Sequence, residues 1–261
     1  VGISLTNWTV SRPSITRFVG LKNYITMFQD DDILLAFKNT AIFTVAIVIL
    51  RNLFAILLAL ALVKKLYTRT YLRTIFYIPA VLSYVVVGIM FTAMFQMNGT
   101  FNQILNAFGI PCTKEWLASG DTALLMVIVE DVWKWTGFHM IIYIAGLQAI
   151  PGDLNEAAEI DGANGWQIFT RVTWPMLKPT TIYVLIITLT NAYKMVDHLY
   201  IMTKGGPGNA TNVLLFYIYQ TGFDYWDTGK ASAMTVILVA VLLVVTSVCF
   251  FVQDKKAYYN N

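Results

Sequence analysis

Charge is what this sequence has least of. Asp, Glu, Lys and Arg make up 13% of its 261 residues and hydrophobic residues 57%, against about 25% and about 45–50% in an ordinary soluble domain. A water-soluble fold has too little interior to hide that apolar surplus, so a soluble enzyme or binding module is excluded. There are only two cysteines. Cys112 falls in a polar connection and Cys249 near the far end of the last apolar run, which makes a disulfide between them geometrically implausible. The two histidines add no spacing that resembles a metal or redox pair. The net charge is +3, which gives a nucleic-acid partner no support. GGPGNAT at 205–211 is glycine-rich but lacks the Gly-Lys-Ser/Thr ending of a phosphate-binding loop. The chain is therefore not expected to be an enzyme or to hold a cofactor of its own.

What the sequence does have is long apolar runs. Segments 40–63, 74–97, 122–149, 179–202 and 231–252 each reach the about 20 residues that a helix needs to cross a hydrocarbon core. They predict an all-α, polytopic transmembrane helical bundle that forms a single domain over 1–261. Alternate connections differ in charge. The set 64–73, the polar stretch around 151–175 and the tail carries Lys64, Lys65, Arg69, Arg73, Arg171, Lys178, Lys255 and Lys256, and the positive-inside rule makes it cytoplasmic. The opposite set, 1–38, 98–121 and 203–230, is longer and carries seven basic residues. Five spans put the first residues outside, yet VGISLTNW has neither an initiator Met nor a signal-peptide pattern, so one further span upstream is expected.

Residues 13–38 place Leu21, Tyr24, Ile25 and Phe28 at helical spacing, which predicts an amphipathic helix along the outer interface, with Asn39 capping the span that follows. That span holds 15 Leu, Ile, Val or Phe residues. They are worth roughly −4.5 to −9 kcal/mol on the insertion scale, against about +3 for Arg51, so it inserts despite its charge. Span 122–149 does not pass the same test, because Glu130, Asp131 and Lys134 together cost about +8 to +10 kcal/mol. At about 1.5 Å per residue these charges sit near the midplane and must face protein or water.

Glu130 and Lys134 are spaced to neutralise each other, and equally they are candidates for a solute pathway. Trp133, Trp135, His139, Asn191, Tyr193 and Asp197 could line the same cavity, where aromatic faces and amides suit sugar rings and hydroxyls; the alternative is interfacial or packing roles. Glu130, Asp131, Lys194, Asp197 and His198 could instead form the ion relay of a secondary transporter.

The polar stretch holds EAAEIDGANGWQIFTRVTWP, residues 156–175. Asp153 is placed to cap a short helix that Gly162 ends, and a second short helix starts near Trp166, with Pro175 and Pro179 closing the segment. Ala157 and Ala158 let another surface approach the backbone, and Trp166 and Phe169 share a face. The result is a helix-turn-helix knob suited to docking.

This stretch resembles the EAA loop of binding-protein-dependent ATP-binding-cassette importers. The correspondence runs through Glu156-Ala157-Ala158, Asp161-Gly162-Ala163, Phe169, Val172 and Pro175, with Trp174 where many relatives have Leu. FVGLKNY, KNTAIFT, LRTIFYIPAVLS, VWKWTGFHM and MTKGGPGNAT resemble, in order and spacing, the sugar-permease branch of the maltose-permease type. The resemblance implies a type I permease fold, multi-pass in a bacterial plasma (inner) membrane, and import of a carbohydrate or glycerol phosphate. It implies as partners a second permease subunit, two cytoplasmic ATPase subunits holding ATP and Mg, an extracytoplasmic solute-binding protein and membrane lipid. Residues 151–175 are then the coupling loop, with Glu156, Ala157, Ala158, Asp161, Gly162, Ala163, Trp166, Phe169 and Pro175 at the ATPase contact.

Overall fold

The computed structural model describes residues 1–9, 16–64, 67–193 and 196–257, with side chains through 247. Residues 13–15 of the outer segment, Lys194 of the ion relay and the Cys249 side chain lie outside what is described. The elements are helices throughout: α1 (Lys22–Met27), α2 (Asp31–Val63), α3 (Arg69–Val81), α4 (Tyr84–Met94), α5 (Thr100–Ala107), α6 (Gly120–Gln148), α7 (Gly152–Ile160), α8 (Gly165–Ile168), α9 (Trp174–Ala192), α10 (Asp197–Met202), α11 (Leu214–Tyr219) and α12 (Thr228–Ala257). Two π-helical turns, Phe169–Thr173 and Gln220–Asp224, adjoin α9 and α11.

Among the described residues α2, the run Gly165–Ala192 and the first 20 residues of α12 are long and apolar enough to cross a membrane. The pair α3–α4 is a fourth candidate if counted as one broken span. Helix α6 has the length, 29 residues, but carries the three charges already noted.

Four expected boundaries are corrected. Asn39 does not cap a span, because α2 begins at Asp31 and the cap falls to Asp30, whose carboxylate accepts from the Asp32 N–H at 3.0 Å. Asp31 and Asp32 then sit in the first turn, where the helix dipole favours them. The span expected at 74–97 is broken at Leu82 and Ser83. Both are extended, and Ser83 starts α4 by accepting from the Val85 N–H; Pro79 removes a helical donor just before the break. The span expected at 179–202 instead starts at Trp174 and stops at Ala192, and 197–202 is a helix of its own. Pro175 does not close the coupling segment: it comes just after the π-helical turn Phe169–Thr173, and the helix runs on through it to Ala192.

The chain forms two compact units. The first comprises 1–46, 83–130 and 190–248. Its core packs Met27, Ile33 and Ala36 against Leu214, Tyr217, Ala231 and Met234. Asn39 is buried here and donates to the carbonyls of Asn209 and Asn212, both at 3.0 Å, while Thr40 accepts from the Leu214 N–H at 2.8 Å. The second unit comprises 47–82, 131–189 and the chain end from 249. Ala55 and Ala59 of α2 lie against Met140, Tyr143 and Ile144 of α6 and Val184 of α9. Small residues at helical spacing let backbones close in. The tightest approach is at Gly137, where an added Cβ would sit 1.7 Å from the Phe76 carbonyl oxygen.

Candidate functional site

The stretch 151–175 stands clear of the core of its own unit. Neither α7 nor α8 buries a residue. Helix α7 starts at Gly152 behind Pro151, which places Asp153 inside the first turn, so Asp153 does not cap it. Its carboxylate still sits where the helix dipole favours negative charge.

The far end of α7 closes in a Schellman motif. The Ala163 N–H donates to the Ala158 carbonyl at 2.9 Å and the Gly162 N–H to the Glu159 carbonyl at 3.0 Å, with Gly162 at φ +81°. Nothing lies within 4 Å of where a Gly162 Cβ would be, so the turn requires glycine for its backbone conformation and not for space. Asn164 then starts α8 with a capping box: its side chain accepts from the Gln167 N–H at 3.0 Å, and its own N–H donates to the Gln167 side chain at 2.8 Å. The Asn164-to-Gln167 spacing was visible in the sequence and is the signal for this start.

Both helix ends are thus hydrogen-bonded internally, and the knob keeps its shape while its surface stays free. Glu156, Ala157, Asp161 and Gly162 are exposed, and Ala158, Ala163, Phe169 and Pro175 are half-buried. Trp166 lies tilted against Phe169, 5.8 Å between ring centroids, yet remains 72% exposed, and Ile160 is 86% exposed. Large apolar side chains held this far into solvent on an ordered element mark an interaction surface.

The intramembrane charges are placed differently. Asp131 accepts a hydrogen bond from the Arg51 guanidinium, with both side chains buried in the second unit. Lys134, also buried there, donates to the carbonyls of Pro79 (3.1 Å) and Leu82, the acceptors freed where α3 ends. In the first unit Glu130 and His198 are both buried, with a carboxylate oxygen 3.5 Å from Nδ1. Asp131 and Lys134 are therefore joined to neighbouring helices. Sequence reading missed the Arg51–Asp131 pair because it costed each charge separately.

The other pathway candidates are scattered. In the second unit Trp133 is 40% exposed, Trp135 half-buried and His139 fully buried. In the first unit Tyr193 packs on the core, Asn191 is half-buried and Asp197 exposed in the first turn of α10. The larger cavity of the second unit, and one of about 330 Å³ at Thr92, Gln96 and Glu115 in the first, are lined by none of the seven.

Outside the spans, burial raises the Asp30 pKa, but the hydrogen bond and charge of Lys230, 2.6 Å away, and the N–H groups of Asp32 and Ile33 outweigh it and hold the carboxyl below its ordinary value. Burial, helped by Asp30 and Asp32, pushes the Tyr217 phenol up to about 12.

Known proteins share both sequence and fold with this chain. The probable ABC transporter permease protein YurN of Bacillus subtilis is 35% identical, covering 98% of this chain and 89% of its own length. The probable starch degradation products transport system permease protein AmyD of Thermoanaerobacterium thermosulfurigenes is 32% identical over 97% of this chain and 85% of its own. The sn-glycerol-3-phosphate transport system permease protein UgpA of Agrobacterium fabrum is 32% identical over 94% and 84%. Among solved structures, a bacterial ABC transporter involved in the import of the acidic polysaccharide alginate superposes with a TM-score of 0.84 at 25% identity, over 97% of this chain and 87% of that one. The bacterial alginate ABC transporter in complex with alginate pentasaccharide-bound periplasmic protein gives 0.80 at 27% identity, over 88% and 81%. Residues 51–257, which include the whole two-helix knob and the buried Arg51–Asp131 pair, match one family, and the chain belongs to it: the binding-protein-dependent transport system inner membrane component family.

Proposed function

We propose that this chain is the permease subunit of an ATP-binding-cassette importer that moves a carbohydrate across a bacterial inner membrane, and that residues 151–175 are where ATPase subunits grip it. The observation that carries this reading is the coupling stretch: internally capped at both helix ends, unburied, and presenting Ile160, Trp166 and the carboxylates of Glu156 and Glu159 outward. A rigid knob seated in a cleft can carry a different contact energy in two states of its partner, which is what coupling requires.

In this reading an extracytoplasmic solute-binding protein delivers the sugar, a second permease subunit completes the pathway, and two cytoplasmic ATPase subunits bind ATP and Mg. Closure of the ATPases rocks the helices between inward- and outward-open states. Glu130, Trp133, Trp135, His139, Asn191, Tyr193 and Asp197 are the proposed pathway residues. The glycerol-phosphate relatives favour a second cargo, which competition between labelled oligosaccharide and glycerol phosphate in uptake assays separates. Photo-cross-linking from Ala158 in intact membranes tests the reading: it should capture an ATP-hydrolysing protein, and capture of none removes the proposed drive. Uptake driven by ATP with all ion gradients collapsed excludes the ion-relay alternative.

A further inference from the structure

The second unit contains a groove of about 1010 Å³, at the upper end of the ~300–1,000 Å³ usual for small-molecule sites. One wall is α2, through Leu53, Ile56, Leu57 and Leu60, and Lys64 follows at the helix end. The opposite side near Lys64 belongs to the coupling stretch: Asn155 of α7, Trp166 of α8, and Phe169 and Trp174. The groove is therefore amphipathic along its length, apolar where α2 runs into the membrane and polar and aromatic at the basic, cytoplasmic end.

Its dimensions fit one leaflet. From Leu53 to Lys64 the helix rises about 16 Å at 1.5 Å per residue, against about 15 Å for half of a 30 Å hydrocarbon core. A cation at that depth stands at headgroup level, and tryptophans favour the same level. Leu53 and Leu57 are about half exposed, so the wall is open to such a guest. Lys64 is itself solvent-exposed, so its ammonium is open to an anionic headgroup.

We propose that this groove binds one anionic phospholipid of the cytoplasmic leaflet, of the phosphatidylglycerol type. An acyl chain lies along Leu53–Leu60 and the phosphate meets the Lys64 ammonium. An apolar helix from another subunit would fill the wall but leave the Lys64 charge unmatched. Because Asn155 and Trp166 belong to the knob, the lipid touches the element that the ATPase reading makes mobile. Occupancy would stiffen it.

The test reads lipid retention, so it stands or falls independently of the importer reading. The full chain, purified in mild detergent with whatever subunits accompany it, is incubated with phosphatidylglycerol or phosphatidylcholine of matched acyl chains and weighed by native mass spectrometry. One phosphatidylglycerol per chain is expected, preferred at least ten-fold over phosphatidylcholine. Lys64→Arg keeps the preference and Lys64→Gln loses it; Lys64 is solvent-exposed, so both variants fold. Equal retention of the two lipids, or a preference that survives Lys64→Gln, overturns the proposal. So does a photo-cross-linker at Leu57 that captures a protein subunit instead of lipid in intact membranes.

Discussion

Arg51 of α2 and Asp131 of α6 hold each other in a buried ion pair, with 1% and 5% of their side chains exposed. Each residue alone is a cost of about 2.5–3.5 kcal/mol at the centre of a span. Together they convert two liabilities into a fixed register between two helices.

Removing one partner leaves the other as an uncompensated buried charge. Arg51→Met or Asp131→Leu alone should therefore destabilise the purified chain by about 3–5 kcal/mol, whereas the double replacement should recover most of the loss. Thermal unfolding in detergent of the two single variants and the double closes the cycle. Strictly additive losses would mean that the two side chains do not stabilise each other.

That pair also marks the limit of what the sequence discloses. The apolar runs of α2, α6, α9 and α12 and the short helices around Gly162 are local patterns, and they can be read without a partner in view. The break between α3 and α4 depends on more than Pro79: it needs Ser83 as a cap and the Lys134 ammonium to satisfy the carbonyls of Pro79 and Leu82, from 55 and 52 positions along the chain. Asn39 was misread for the same kind of reason. It is a good cap by residue type, but its amide is used by the Asn209 and Asn212 carbonyls about 170 residues away. Local propensity finds elements, and long-range polar pairing decides where they stop. The motif residues of the coupling stretch were legible because their partners lie within six positions of each other.

Asp30 makes the start of α2 sensitive to acid. Its carboxyl pKa is lowered in the folded chain, so its contribution is present above the ordinary value of 3.8 and is lost as pH falls through the lower folded value. The pair with Lys230 is part-exposed, and the effect should be modest and weaker in high salt. Protection of the amides over the first turns of α2 and α12, corrected for the intrinsic exchange rate, should fall below about pH 4 in the native chain. Lys230→Met should make exchange faster at neutral pH and flatten its acid dependence. An acid response unchanged by Lys230→Met would assign it to another group.

Gly162 offers the sharpest test of the knob, because conformation and size predict opposite orders there. At φ +81° an ordinary L-residue pays about 1–2 kcal/mol, while Asn and Asp adopt this region more readily. The space around the missing Cβ is empty, so bulk alone costs nothing. Transport and substrate-stimulated ATP hydrolysis should therefore fall in the order Gly162→Asn, Gly162→Ala, Gly162→Val, with the larger asparagine better tolerated than the smaller alanine. Since 1.4 kcal/mol is a ten-fold change in an equilibrium, the alanine variant should lose up to about ten-fold in coupled transport if the turn is marginally stable. Yield and thermal stability of the chain should hardly move, because neither α7 nor α8 contributes a buried residue. An alanine variant that transports better than the asparagine variant would show that the Schellman turn is not what transmits force to the helices.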